Sequence, residues 1–126
     1  MPHKTRSRWF DLADAEASAL LVALPAPLRE RLSGVSVTLA PYPTASDITE
    51  DGDEEDLLGL FIGAALGEEI ADGEPSPEIR LFIENILHET DGNETAFRRE
   101  VRTTLLHEIG HYLGLDEDSL ELRGLA

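Results

Sequence analysis

The most constraining feature of this chain lies near its C-terminus, over residues 93–113. Phe97, Val101, Leu105, Ile109 and Tyr112 recur there at spacings of three and four. Apolar residues at that period form one face of an α-helix and need a partner surface to cover them. Asn93 stands where an N-cap belongs, and Gly114 where a helix stops and the chain turns back. Leu106 and Leu113 widen the apolar stripe. Opposite it, at 100° per residue, Glu100, Thr104, His107 and His111 fall in line. The spacing therefore predicts a helix with one face in a core and a polar seam that carries two histidines.

Those histidines set the chemistry. His107 and His111 are four apart, one turn apart on one face, and so able to share one metal ion. Glu108, next to the first, is the residue such a site needs as general base, taking a proton from metal-activated water. Without the histidines it would read as an ordinary surface carboxylate. Gly110 is a poor helix former, costing about 1 kcal/mol relative to Ala, so its place inside the motif predicts that something needs room beside it. Zinc hydrolases commonly use three protein ligands. Glu117, six residues beyond His111 and past Gly114, is the favoured third ligand. Asp116, Asp118 and Glu121 compete with it, and these same acids also suit the first turn of a short C-terminal helix. Thr104 and Glu100 share the histidine face and are placed to orient His107 through its second nitrogen. Tyr112 falls with the core residues, so packing is its expected role; His88 reads as a solvated surface histidine. The pattern points to a zinc-dependent metallopeptidase that hydrolyses peptide bonds with metal-activated water and a Glu base.

Composition narrows the setting. The 126 residues suit one domain with a modest core, and 41% of them are hydrophobic. Asp and Glu number 26 against 10 Lys and Arg, for a formal charge of −16. That argues against nucleic acid or an anionic membrane as partner. It is compatible with cations or a basic polypeptide, and it also keeps a protein in solution. With no cysteine, a metal must be held by His and carboxylate. The sequence carries no signal-peptide pattern and no apolar run long enough to span a membrane, so a cytoplasmic protein is expected.

Along the chain, residues 1–8 read as a loose basic arm with Lys4, Arg6 and Arg8. Phe10, Ala13, Ala17, Leu20, Leu21 and Leu24 have helical spacing, with Asp11 and Asp14 near the expected start and Pro25 and Pro27 at the end. Leu28 to Leu32 suits one further helical turn. Val35, Val37 and Leu39 alternate with polar residues as in a half-buried strand. Residues 44–56 form an acidic loop; its acids lack the register of a calcium loop, so it reads as solvated and mobile. Leu57 to Ile62 reads as a strand covered on both faces, with Gly59 and Gly63 marking a close approach or a bend. Leu66 to Ile70 suits a short strand, Asp72 to Pro77 a turn, Ile79 to Ile83 a strand with one face on the core, and His88 to Gly92 a loop. A strand at 79–83 forming a sheet edge beside the cleft could pair with an extended peptide.

The segment His107-Glu108-x-x-His111-x-x-Gly114-x-x-Glu117 resembles the zincin metallopeptidases. Its glycine and the acid six residues past the second histidine resemble the metzincin branch, where that last position is usually His or Asp. More closely, residues 57–122 resemble the small bacterial family of predicted zinc-dependent proteases with a minimal zincin-like domain. Leu57-Leu58-Gly59-Leu60-Phe61, Ile79-Arg80-Leu81-Phe82 and the His107–His111 helix with its acidic tail carry that resemblance. It implies a single minimal zincin-like metallopeptidase domain over 1–126. The expected fold is α+β: a small mixed sheet of three or four strands, packed with an N-terminal helix and a C-terminal active-site helix. It also implies Zn2+ on His107 and His111, Glu108 as base, Glu117 at the third-ligand position, and a peptide or protein substrate. Two departures stand out: no Met follows the site, so there is no Met-turn, and the sequence ends nine residues after Glu117. They motivate an alternative expectation, a zincin-derived metal-binding or protein-interaction domain with little or no turnover.

Overall fold

The computed structural model describes residues 3–45, 47, 57–63 and 76–114. The alternating runs at 35–39 and 79–83 and the apolar run at 57–62 become strands. Strand β1 (Ser36–Ala40) pairs in parallel with β3 (Glu78–Phe82), and β2 (Gly59–Ile62) pairs antiparallel with the other side of β3. The sheet order is β1-β3-β2, with β3 central. The register sets Val37 and Phe61 on either side of Ile79, and Leu39 and Gly59 on either side of Leu81. Side chains two apart on a strand share a face, so these six residues form one face of the sheet, and Ile79 and Leu81 at its centre are fully buried.

Four helices complete the order: α1 (His3–Ala23) and α2 (Ala26–Arg31) before the sheet, α3 (Ile83–Glu89) and α4 (Glu94–Tyr112) after it. Helix α4 packs on β2, β3 and α1. Phe97, Val101, Leu105, Ile109 and Tyr112 are all buried, as the helical period requires, and they share a core with Ala13 and Ala17 of α1 and with Ile79 and Leu81. Trp9 meets Phe97 edge-on, with ring centroids 4.9 Å apart. The helices are tied at the rim by ion pairs, from Arg8 to Glu94 and from Arg102 to Glu16 at 2.8 Å. No helix of the described residues is long and apolar enough to cross a membrane.

Several local readings change in the fold. The spacing predicts a loose arm over 1–8, but α1 begins at His3, and Asp11 and Asp14 therefore lie beyond its first turn. The cause is tertiary: Arg8 and Trp9 are held by Glu94 and Phe97 at the start of α4. The run 57–62 predicts a strand covered on both faces. Among the described residues β2 is instead an edge strand, with only Gly59 buried and the other three half-buried. The strand predicted over 79–83 ends at Phe82 and is central, not an edge. The loop predicted over 88–92 begins as the end of α3, because Ile83 and Ile86 bury at helical spacing. The exposure of His88 is as expected. A tight turn then leads into α4: the Gly92 amide donates to Leu87 O at 3.1 Å and the Asp91 amide to His88 O at 3.2 Å. Asp91 sits in the left-handed region at φ 53°, as the residue after a helix C-cap often does. Asn93 caps α4 as predicted, its Oδ1 accepting from the Ala96 amide at 2.9 Å. The strand suggested over 66–70 lies outside the described residues.

On the sheet face away from α4, Arg80 Nη1 meets Asp47 Oδ1 at 2.6 Å, and its Nε donates to Glu78 Oε2 at 3.1 Å. The hydrogen bond to Glu78 raises the Arg80 pKa above its ordinary value. Partial burial opposes this, and the charges of Glu78 and Asp47 add to it. Asp47 is only 5% exposed, and its Oδ2 accepts from the Thr44 amide and hydroxyl at 2.8 and 3.0 Å. The acidic segment 44–56 thus reads as solvated in sequence, yet its Asp47 is a buried ion-pair partner; residues 46 and 48–56 lie outside the described residues. Removing one member of a buried pair strands the other charge. Arg80→Met should therefore lower the unfolding free energy by about 3 kcal/mol, read from the midpoint and slope of urea denaturation. A loss below about 0.5 kcal/mol, typical of a neutral surface change, would show that Asp47 needs no partner.

Candidate metal centre

Helix α4 runs without a break through Gly110, which is buried, so His107 and His111 keep the one-turn separation that their spacing predicts. Their ring centroids are 4.5 Å apart, at an interplanar angle of 74°. Ligand atoms of His107, Glu108 and His111 all lie within 4.8 Å of one another. Two imidazoles and a carboxylate converging within that span form a donor set suited to a zinc-like divalent cation. His107 is half-buried and His111 exposed, so the site is open to solvent on one side. Residues 115–126 lie outside the described residues. They include Glu117, the predicted third ligand, and its competitors Asp116, Asp118 and Glu121.

Glu108 is held more tightly than a surface carboxylate. It is 7% exposed, and its Oε1 lies 3.1 Å from His111 Nδ1. In the tautomer that carries its proton on Nδ1, His111 donates to Glu108 and keeps the Nε2 lone pair free for a metal. One turn earlier, the Thr104 hydroxyl donates to Glu100 Oε2 at 2.9 Å, so these two members of the seam bond to each other. Tyr112 is buried and meets Phe61 of β2 edge-on at 5.7 Å, which fits the packing role expected of it. The helix ends where Gly114 takes φ 76°, a conformation glycine adopts without penalty. Its amide donates to His111 O at 3.0 Å.

One contact has only a partial signal in the sequence. Gly59 reads there as a point of close approach, and in the fold its neighbour is the seam of α4. A methyl group on Gly59 would lie 2.6 Å from Thr104 Cγ2 and 3.4 Å from Glu108 Cγ. The interruption of an apolar strand by glycine was the available sign; the identity of the partner was not.

The profile of the zincin-like metallopeptidase family matches residues 32–125 of the chain. The chain belongs to the zincin-like metallopeptidase family. The matched span holds the sheet and the whole of α4, whereas α1 and α2 precede it. This zincin-like domain thus rests part of the helix that carries His107 and His111 on an N-terminal helix outside the matched span, through Trp9, Ala13 and Ala17. Comparison with curated proteins gave no match.

Protein purified without chelator or affinity tag should contain near one zinc per chain by elemental analysis. His111→Ala should weaken zinc binding by more than about a hundredfold, the upper range for losing only an outer partner of a ligand. In parallel, Glu117→Ala, Asp116→Ala, Asp118→Ala and Glu121→Ala identify the third ligand as the one whose loss lowers zinc content. Protein that neither contains zinc nor takes it up when supplied would eliminate the metal centre.

Proposed function

We propose that this zincin-like domain is a zinc-dependent metallopeptidase that hydrolyses peptide bonds, with His107, His111 and Glu117 as zinc ligands and Glu108 as general base. The observation that carries this reading is the convergence of His107, Glu108 and His111 on one unbroken helix, within a chain of a metallopeptidase family. Zinc, when held by His107, His111 and Glu117, would supply Lewis acidity that acidifies water and polarises a peptide carbonyl. Glu108 accepts the proton of the attacking water and returns it to the leaving amine nitrogen. His107 and His111 hold their positions through the helix, so no rearrangement of the chain is needed to present them.

The substrate is a peptide or protein, and the edge strand supports that reading. Among the described residues β2 has a strand partner on one side only. Its Gly59 stands against Glu108. An extended peptide that pairs with the open side of β2 by main-chain hydrogen bonds would be held next to the base.

A second reading, a metal-binding or interaction domain with little turnover, is favoured by the 3.1 Å contact of Glu108 with His111. A carboxylate held there stabilises the histidine without doing acid–base chemistry. Glu108→Gln separates the two. The enzyme should keep its zinc and lose roughly 10²–10⁴ in kcat, the range for removing a general base, when assayed with a peptide library by mass spectrometry. A wild-type protein that holds zinc and cleaves nothing would instead support the binding domain.

A further inference from the structure

Strand β2 meets the metal helix at a point that admits no side chain. Gly59 is buried, and a Cβ there would lie 2.6 Å from Thr104 Cγ2, 3.4 Å from the Arg80 carbonyl oxygen and 3.4 Å from Glu108 Cγ. The 2.6 Å contact is the one that forces a shift, and Thr104 cannot easily give way. Thr104 is 7% exposed and its hydroxyl is bonded to Glu100 Oε2 at 2.9 Å; a β-branched side chain in a helix has few alternative rotamers. The strand is equally held. Gly59 pairs with Leu81, the Phe82 amide donates to Leu58 O at 2.9 Å, and Phe61 packs on Tyr112. Thr104 and Glu108 are four apart and so adjacent on the helix, and Gly59 lies against both.

We propose that Gly59 and Thr104 are positioning residues for Glu108: the glycine lets β2 close onto α4, and the Thr104 methyl, aimed by the bond to Glu100, fills the space that remains and fixes where the Glu108 side chain leaves the helix. The proposal rests on the reading of Glu108 as base. It gives the Thr104–Glu100 pair a purpose other than orienting His107, and it explains a glycine inside an apolar strand. A side chain at position 59 meets Thr104 first and displaces it toward Glu108, which lies one turn further along the same face.

Rescue provides the test. Thr104→Ser removes Cγ2 and keeps the hydroxyl for Glu100. Gly59→Ala should retain zinc and lose about a hundredfold in kcat with KM held, the scale of a 1 Å misplacement. The double variant Gly59→Ala/Thr104→Ser should recover most of that loss. A second readout needs no turnover: the Glu108 side-chain carboxyl resonance in 13C NMR, assigned by its disappearance in Glu108→Gln, should shift in Gly59→Ala and return in the double variant. A raised KM with kcat kept would place the effect in substrate pairing along β2 and overturn the proposal. So would an unmoved resonance, or misfolding of Gly59→Ala that Thr104→Ser does not repair. Should wild-type protein cleave no peptide, the peptidase reading fails, while the resonance and its return still decide the role of Gly59.

Discussion

Helix α4 lies against one face of a three-stranded sheet through Val101, Leu105 and Ile109, and the other parts of the molecule depend on that contact. At 3.6 residues per turn, burying this stripe forces His107 and His111 to the other side of the helix. The core therefore orients the seam that carries the two histidines. Glu108 falls between the two regimes, close enough to the packed face to be buried and close enough to the seam to reach His111. A shift of α4 by one residue would turn either Glu100, Glu108 and His111 or Arg98 and Arg102 into the core.

The remaining elements keep α4 in that position. Strand β3 is central and fully covered at Ile79 and Leu81. Strand β2 comes close enough to touch the helix at Gly59 and Phe61. Helix α1 braces the N-terminal half through Trp9 on Phe97 and a rim of arginine–carboxylate pairs. Exposed pairs of that kind add little stability one at a time, so the apolar and aromatic contacts hold α1 and the charges set its register. The opposite sheet face carries the Glu78–Arg80–Asp47 network, in which a buried acid is matched by a cation from the central strand.

In function, the family match and the local geometry divide the work. The zincin-like profile spans the sheet and α4, while the pairwise distances among His107, Glu108 and His111 give this chain its own grounds for a metal site. Among the described residues β2 is the strand at the sheet edge beside Glu108, where the linear sequence points to the segment near Ile79. Both segments alternate or run apolar, and only the pairing order decides which one is flanked on both sides.

Much of the site was legible without coordinates. Spacing by four, an adjacent glutamate and a buried stripe at helical period are local properties, and local backbone geometry turns them directly into a shared face. The Asn93 cap, the Gly114 stop and the core positions of α1 and α4 were legible for the same reason. What required the tertiary structure was every contact between segments distant in the chain: the extension of α1 to His3 by Arg8 and Trp9, the burial of Asp47 by Arg80, the order of the strands, and the meeting of Gly59 with Thr104 and Glu108. Periodicity records which residues must be covered, because burial of apolar area is non-directional. It does not record what covers them, because many surfaces satisfy the same stripe and only mutual packing selects one.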